Sequence, residues 1–249
     1  MDLSMYAATL AVAFISSVLS GMAGVGGGFI MAPFWLLIGL SPAQGAATGA
    51  FMAVGMGGSS LAAFRGSGHI PKEKWLTIGL LGITVVSAIA GALLLPKFDV
   101  SSFSTTLAVI TLLALPLLFI KPKNQHVFRR YRTVGLVMLA LLIFISSIIM
   151  SSAFSILITL VMMNFLSLNV LQVTALRRMI GLLQSLILFI LFALQGFFIW
   201  HIAIVAFTGG SLGSYIGTKV ALKRGERFAK WALAVGAFAG AMILLISKG

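Results

Sequence analysis

Apolar residues along this chain come in long unbroken runs, with the polar residues gathered between them. The long runs fall at about 3–21, 43–64, 75–95, 101–120, 133–150, 170–194, 200–220 and 228–247. Each is close to the roughly 20 residues that a helix needs to cross a bilayer core. Two shorter runs, about 27–40 and 153–167, are too short to cross comfortably and predict half-helices or re-entrant segments. The pattern therefore predicts an all-α polytopic membrane protein with about eight transmembrane helices plus two short broken elements. The first run, Leu3 to Ser20, is expected to be a retained helix, because a basic n-region and a small-residue cleavage site are lacking.

Composition agrees with this reading. Of the 249 residues 60% are hydrophobic and only 8% charged, against roughly 25% charged in a soluble domain. The net charge of +13 comes from 17 Lys and Arg against four acids, Asp2, Glu73, Asp99 and Glu226. No aromatic and basic residues interleave as a nucleic-acid platform would require, so no nucleic-acid partner is expected. The partner implied is the lipid bilayer. Basic residues cluster at Arg65, Lys72 and Lys74, at Lys121 to Arg132, and at Lys219 to Lys230. Threading the runs so that all three clusters face the cytoplasm places both termini outside. Cysteine is absent, which excludes disulfides and thiolate chemistry. The histidines His69, His126 and His201 are far apart and lack acids at ligand spacing, so no metal and no cofactor are expected.

The chain also repeats itself. Phe14-Ile15-Ser16-Ser17 recurs as Phe144-Ile145-Ser146-Ser147, and Leu40-Ser41-Pro42-Ala43-Gln44 matches Leu168-Asn169-Val170-Leu171-Gln172. Gly68 falls opposite Gly196 and Gly82 opposite Gly210, both at an offset of 128 (196 − 68 and 210 − 82). In each half a polar N-cap candidate, Ser41 or Asn169, follows the short element. The matched loops carry opposite charge bias: 65–74 is basic where 195–201 has no Lys or Arg, and 96–101 has one basic residue where 219–230 has five. The expectation is two inverted-topology repeats, 1–120 and 133–249, joined by a basic cytoplasmic linker at 121–132. Inverted repeats with interrupted helices are an architecture of secondary transporters, whose sites lie where the helices break.

The stretch GMAGVGGGFIMAPF, residues 21–34, is the first such break. Its glycines, Gly24, Gly26, Gly27 and Gly28 among them, let backbone N–H groups approach an anion at the start of a half-helix, with Pro33 and Gly39 shaping that helix. Close helix packing is the competing use of such small residues. A dinucleotide fingerprint is excluded because it needs a preceding strand. Arg177 and Arg178 lie about 12 Å along the 170–194 run if that run starts near Asn169. Guanidinium groups inside a membrane suit oxyanions, although a helix beginning at Met179 would leave the pair on its cytoplasmic flank. Gln44, Thr48, Ser151, Ser152, Gln172 and Thr174 offer further hydrogen-bond donors, with interhelical bonding as their alternative role. Arg65 and His69 read as a cytoplasmic helix end. None of the four acids lies deep in a run, so no carboxylate is available to hold a proton or sodium ion.

Several of these landmarks together resemble a known family. Gly24-Val25-Gly26-Gly27-Gly28, Pro33, Gly39, Ala46-Ala47-Thr48 and Gly68-His69-Ile70 resemble the first repeat of the TauE/SafE family, also called the toluene sulfonate uptake permeases. Gly209-Gly210-Ser211-Leu212-Gly213-Ser214-Tyr215-Ile216-Gly217 with Lys223 resembles the end of its second repeat. The likeness covers essentially the whole chain. It implies a multi-pass transporter of the bacterial inner membrane that exports sulfite, a sulfonate or another small organic or sulfur oxyanion. Where the family's second repeat often carries its own glycine break, this chain has Ser151-Ser152-Ala153-Phe154-Ser155.

The expected function is secondary transport of a small anion by alternating access of two inverted halves, with an anion channel or facilitator as the alternative. An intramembrane enzyme using Ser67 and His69 is a further reading, as is a non-transporting scaffold. Neither needs broken helices in matched positions.

Overall fold

The computed structural model describes residues 3–24, 28–70, 73–94, 132–149 and 154–246, with the single positions 113 and 116. The apolar run at 101–120 and nearly all of the linker fall outside that set. Every regular element among the described residues is a helix: α1 (Leu3–Ala23), α2 (Gly28–Leu37), α3 (Pro42–Phe64), α4 (Lys74–Leu94), α5 (Arg132–Ile149), α6 (Phe154–Phe165), α7 (Val170–Leu194), α8 (Trp200–Arg224) and α9 (Glu226–Ile246). Four are long and apolar enough to cross a membrane: Leu3–Ala23, Pro42–Phe64, Lys74–Gly91 and Val170–Leu194. The short elements α2 and α6 have 10 and 12 residues, or about 15–18 Å, roughly half a bilayer core.

Local chemistry sets the ends of the two central helices in the same way. Before α3, the Ser41 hydroxyl accepts the Gln44 backbone N–H at 3.3 Å, and Gln44 Oε1 accepts the Ser41 N–H at 3.0 Å. Before α7, Asn169 Oδ1 accepts the Gln172 N–H at 2.8 Å, and Gln172 Oε1 accepts the Asn169 N–H at 3.0 Å. Both are reciprocal capping boxes, which satisfy two helix-end donors at once. Each follows a turn through left-handed backbone, Gly39 at φ 80° and Ser167 at φ 55°. Glycine adopts that conformation freely, whereas serine does so at a cost of about 1–2 kcal/mol.

Helix packing sorts eight of the nine described helices into two groups, while α9 packs with α7 and α8 through Ala229, Val170, Leu171 and Ala221. One cluster holds Ala13 of α1, Met31 and Trp35 of α2, Met52 and Met56 of α3, and Ile202 and Ala206 of α8. The other holds Leu76 and Leu80 of α4, Leu139 and Ile143 of α5, Phe154, Ile158 and Met162 of α6, and Val173, Leu176 and Ile180 of α7. The fourth helix of each sequence half thus packs with the first three of the other half. Helices α3 and α7 run antiparallel between the groups, joined by Ala47, Ala50, Leu188 and Phe192 and by Gly57 seated against Leu182.

The tightest seam joins α1 to α8. Gly209, Gly213 and Gly217 sit one turn apart on α8 and face the carbonyl oxygens of Leu10, Phe14 and Val18 on α1. A Cβ built on Gly209 would lie 2.7 Å from the Leu10 oxygen, and one on Gly21 would lie 2.6 Å from the Ser214 oxygen. Residue numbers rise together along both helices, so they run parallel with their backbones in contact. In hydrocarbon, where helix association gains no hydrophobic term, such small-residue seams carry the packing. Hydroxyls extend the seam toward α3: Ser214 donates to the Met56 carbonyl at 3.0 Å, and Ser60 Oγ lies 2.7 Å from Thr218 Oγ1.

Gly217→Val should therefore lower stability by about 1–3 kcal/mol or more, read as a fall in melting temperature in detergent. Gly82→Ala is the control, since a Cβ there meets nothing within 4 Å. It should be neutral or stabilising by up to about 1 kcal/mol.

Candidate functional site

The region where the two groups meet is built from the end of α1, the first third of α7 and the chain just after α1. Helix α1 stops because Gly24 turns to φ 67°, with its N–H still bonded to the Ser20 carbonyl at 2.8 Å. A side chain added there would collide with α7. A Cβ on Gly24 would lie 2.6 Å from Thr174 Oγ1 and 2.8 Å from its Cγ2. Gly24 thus serves both the left-handed turn and the close approach of α7. Gly28 opens α2, and Pro33 lies inside it. Gly26 and Gly27, like Ser151 and Ser152, lie outside the described residues.

Arg177 and Arg178 occupy the eighth and ninth positions of the 25-residue α7. They point to different neighbours, as adjacent helical positions about 100° apart must. Arg177 Nη1 donates to Thr159 Oγ1 of α6 at 3.2 Å. Arg178 is only 8% exposed. Its Nη2 donates to Ser20 Oγ at 3.0 Å and also to the Ser20 backbone carbonyl. The Ser20 carbonyl therefore accepts from both Gly24 and Arg178. Arg178 Nε is buried and has no hydrogen-bond partner. Among the described residues no carboxylate is paired with Arg178; the ion pair seen there is Lys230 with Glu226 at 3.4 Å.

This arrangement has a clear electrostatic logic. The last carbonyls of a helix carry partial negative charge, and a guanidinium against them partly replaces the solvent that burial removed. Full compensation of a buried cation usually requires an anion. Here the protein supplies one carbonyl and one hydroxyl, and leaves an N–H of the same guanidinium unused.

The remaining candidates divide. Thr48 is fully buried and its hydroxyl has no partner. Ser17 and Ser211 also carry buried hydroxyls without partners. Thr174 donates to the Val170 carbonyl at 2.8 Å and lines the turn at Gly24. Gln44 and Gln172 use their amide oxygens in the capping boxes, so only their NH₂ groups remain to donate. Gly39 shapes the turn after α2. The structure brings Gly24, Thr174 and Arg178 together, whereas Gln44 and Gln172 sit at two separate helix starts. Ser20 and Thr159 were not legible as site residues, although Ser16-Ser17-x-x-Ser20 does place hydroxyls along α1 at helical spacing.

The imagined Ser67–His69 pair does not form the contact a nucleophile needs. His69 Nδ1 lies 2.9 Å from the Ser67 backbone carbonyl, and the Ser67 hydroxyl accepts the His69 N–H at 3.3 Å. Among the described residues no cluster of His, Asp or Glu is arranged to hold a metal.

A family model described as "Sulfite exporter TauE/SafE" matches residues 9–244. A Haemophilus influenzae protein named "Probable membrane transporter protein" is 28% identical over 221 residues, covering 86% of this chain and 84% of the relative. A Sinorhizobium protein named "Probable membrane transporter protein ORF9" is 26% identical over 241 residues, covering 94% and 89%. No solved structure matches the chain.

Gly24→Ala should destabilise the fold by about 1–2 kcal/mol from its positive φ alone, with the collision against Thr174 adding to that. Gly24→Ala combined with Thr174→Ala should recover the collision part and leave the backbone part. A double-mutant cycle on denaturation midpoints separates the two.

Proposed function

The chain belongs to the sulfite exporter TauE/SafE family of membrane transporters, and on that premise we propose that it is a secondary transporter of a small oxyanion such as sulfite or a sulfonate. The observation that carries the proposal is Arg178: a buried guanidinium with no carboxylate partner among the described residues, set beside a helix break and holding one unpartnered N–H. Intramembrane arginine is expensive and commonly marks a pathway for anions. Guanidinium geometry favours a planar or tetrahedral oxyanion over a halide, because two oxygens can be held at once.

Alternating access of two inverted repeats is the mechanism we propose. Three features support it: the paired short helices α2 and α6, the matched capping boxes at an offset of 128 (169 − 41), and the two packing groups that exchange α4 and α8. Rocking one group against the other would expose the region around Gly24 and Arg178 first to one side and then to the other. Substrate contacts in this reading come from the backbone at Gly26, Gly27 and Gly28, with Gly24 shaping the turn, from Arg178, and from hydroxyls including Thr48, Ser151 and Ser152. Arg177 supports the second break through Thr159.

The placement in a bacterial inner membrane with both termini outside rests on the basic clusters, and export rests on energetics. A monovalent anion leaving a negative-inside cell gains about 2.3 kcal/mol per 100 mV. An anion channel with the same arginine is the competing reading, and saturable exchange across liposomes separates the two.

The test is flux of sulfite, sulfate, methanesulfonate and acetate into proteoliposomes. Wild type should move at least one of the sulfur oxyanions. Arg178→Gln should cut that flux at least about tenfold while the protein still inserts and elutes as a single species, because charge-assisted hydrogen bonds contribute about 1.5–3 kcal/mol. Unchanged flux in Arg178→Gln would remove Arg178 from the site.

A further inference from the structure

Arg178 lies on α7, within the group formed by α4 to α7, and Ser20 lies on α1, within the group formed by α1, α2, α3 and α8. Their hydrogen bond therefore crosses the boundary between the two bodies that alternating access would move. The Ser20 carbonyl is also the acceptor that closes the last turn of α1, through Gly24 at 2.8 Å. A basic side chain bonded to terminal carbonyls is a way of capping a helix C-terminus. Here the cap comes from a different helix and a different packing group.

We propose that Ser20 is a positioning residue whose two acceptors hold the Arg178 guanidinium as a latch between the groups, and that the transported oxyanion competes with α1 for that guanidinium. This rests on the transporter reading above. One charged group serves two acceptors, the end of α1 and the anion. The unpartnered Nε is the atom at which an oxyanion first gains a bond without disturbing the latch. A second anion oxygen taking Nη2 must displace Ser20. The last turn of α1 then loses its arginine cap, and the hydrogen bond from α7 to α1 is lost in the same step. Substrate binding and release of the end of α1 become one event, so that end is freed with an anion aboard and held without one, while the α3–α7 seam keeps the groups in contact. Thr174 and Gly24 limit how far the end of α1 can move, since their close contact lies one turn along both helices from the latch.

The competition gives the affinity change a sign. When the binding-competent state must first break a bond, apparent affinity is reduced by the fraction of molecules in which that bond is intact. Ser20→Ala removes the hydroxyl acceptor, weakens the latch and should tighten anion binding. A serine that simply contacted the anion would give the opposite result.

The experiment measures binding of sulfite, sulfate, methanesulfonate and acetate to purified wild type and Ser20→Ala by calorimetry, together with flux of the bound anion. Ser20→Ala is expected to bind about tenfold tighter or more, in keeping with loss of one charge-assisted hydrogen bond, and to transport more slowly with a lower half-saturation concentration. Hydrogen exchange over residues 20–24 is the second readout. The anion should speed exchange there in wild type, and in Ser20→Ala exchange should already be fast without it. Anion binding to wild type with weaker or unchanged affinity in Ser20→Ala overturns the latch and leaves the transporter reading standing, as does anion-induced slowing of exchange at 20–24. No binding of any of the four anions to wild type, with no flux, overturns both.

Discussion

Backbone contact between α1 and α8 is the constraint on which the rest of the arrangement depends. Three glycines of α8, each one turn from the next, admit the carbonyl ridge of α1 to within a distance that no side chain allows. Lipid gives such a pair no hydrophobic incentive to associate, so dispersion, weak Cα–H···O contacts and hydroxyl bonding must suffice. All of them fall away quickly with distance. A single added methyl group would part the helices and take Ser60, Ser214 and Thr218 out of reach of their partners. The close seam also fixes the depth at which α1 ends, and so decides which residues of α7 its last turn meets.

That meeting point explains how a guanidinium can be buried without a carboxylate partner among the described residues. An isolated cation in hydrocarbon costs several kcal/mol at the least. At Arg178 the cost is offset by the carbonyl end of α1, where the helix dipole is negative, and by the Ser20 hydroxyl. This compensation is partial, and a partly compensated charge is what a reversible anion site needs. A paired carboxylate would neutralise the arginine and compete with any substrate. A fully solvated arginine would bind anions no more strongly than water allows. The same logic makes the two breaks unequal. At the first, Gly24 lets the backbone approach α7 closely, while at the second short helix Arg177 donates to Thr159 of α6.

Much of the helical layout could be read from the chain. Residues 170–194 were expected as a helix and are one, and the short runs at about 27–40 and 153–167 became α2 and α6, trimmed at their ends by Gly39 and by the turn at Ser167. Ser41 and Asn169 were recognisable as caps because capping is local chemistry within four residues. The site was less legible. Gln44 and Gln172 read as donors, and the structure adds that their amide oxygens close the capping boxes, a use equally local and equally visible in the spacing. Ser20 gave no signal of its own, because its partner lies 158 residues away. Thr174 was a candidate for its hydroxyl, and the structure adds its role as the wall against which Gly24 is turned.

Sequence by itself determined the solvent of this protein, its helical elements and the sites where those elements must break, because hydropathy, capping and glycine content act over one or a few turns. It also determined that no carboxylate and no thiol would be available deep in the apolar runs. Only the tertiary structure decided which helices pack together. Nothing in the order of the runs says that α4 joins α5, α6 and α7 while α8 joins α1, α2 and α3. That exchange follows from long-range complementarity, glycine faces against carbonyl ridges and large side chains against small, which no local pattern encodes. It is the exchange that carries Arg178 from one half of the sequence to the end of α1 in the other, and turns two ordinary residues, Ser20 and Arg178, into a contact across the middle of the molecule.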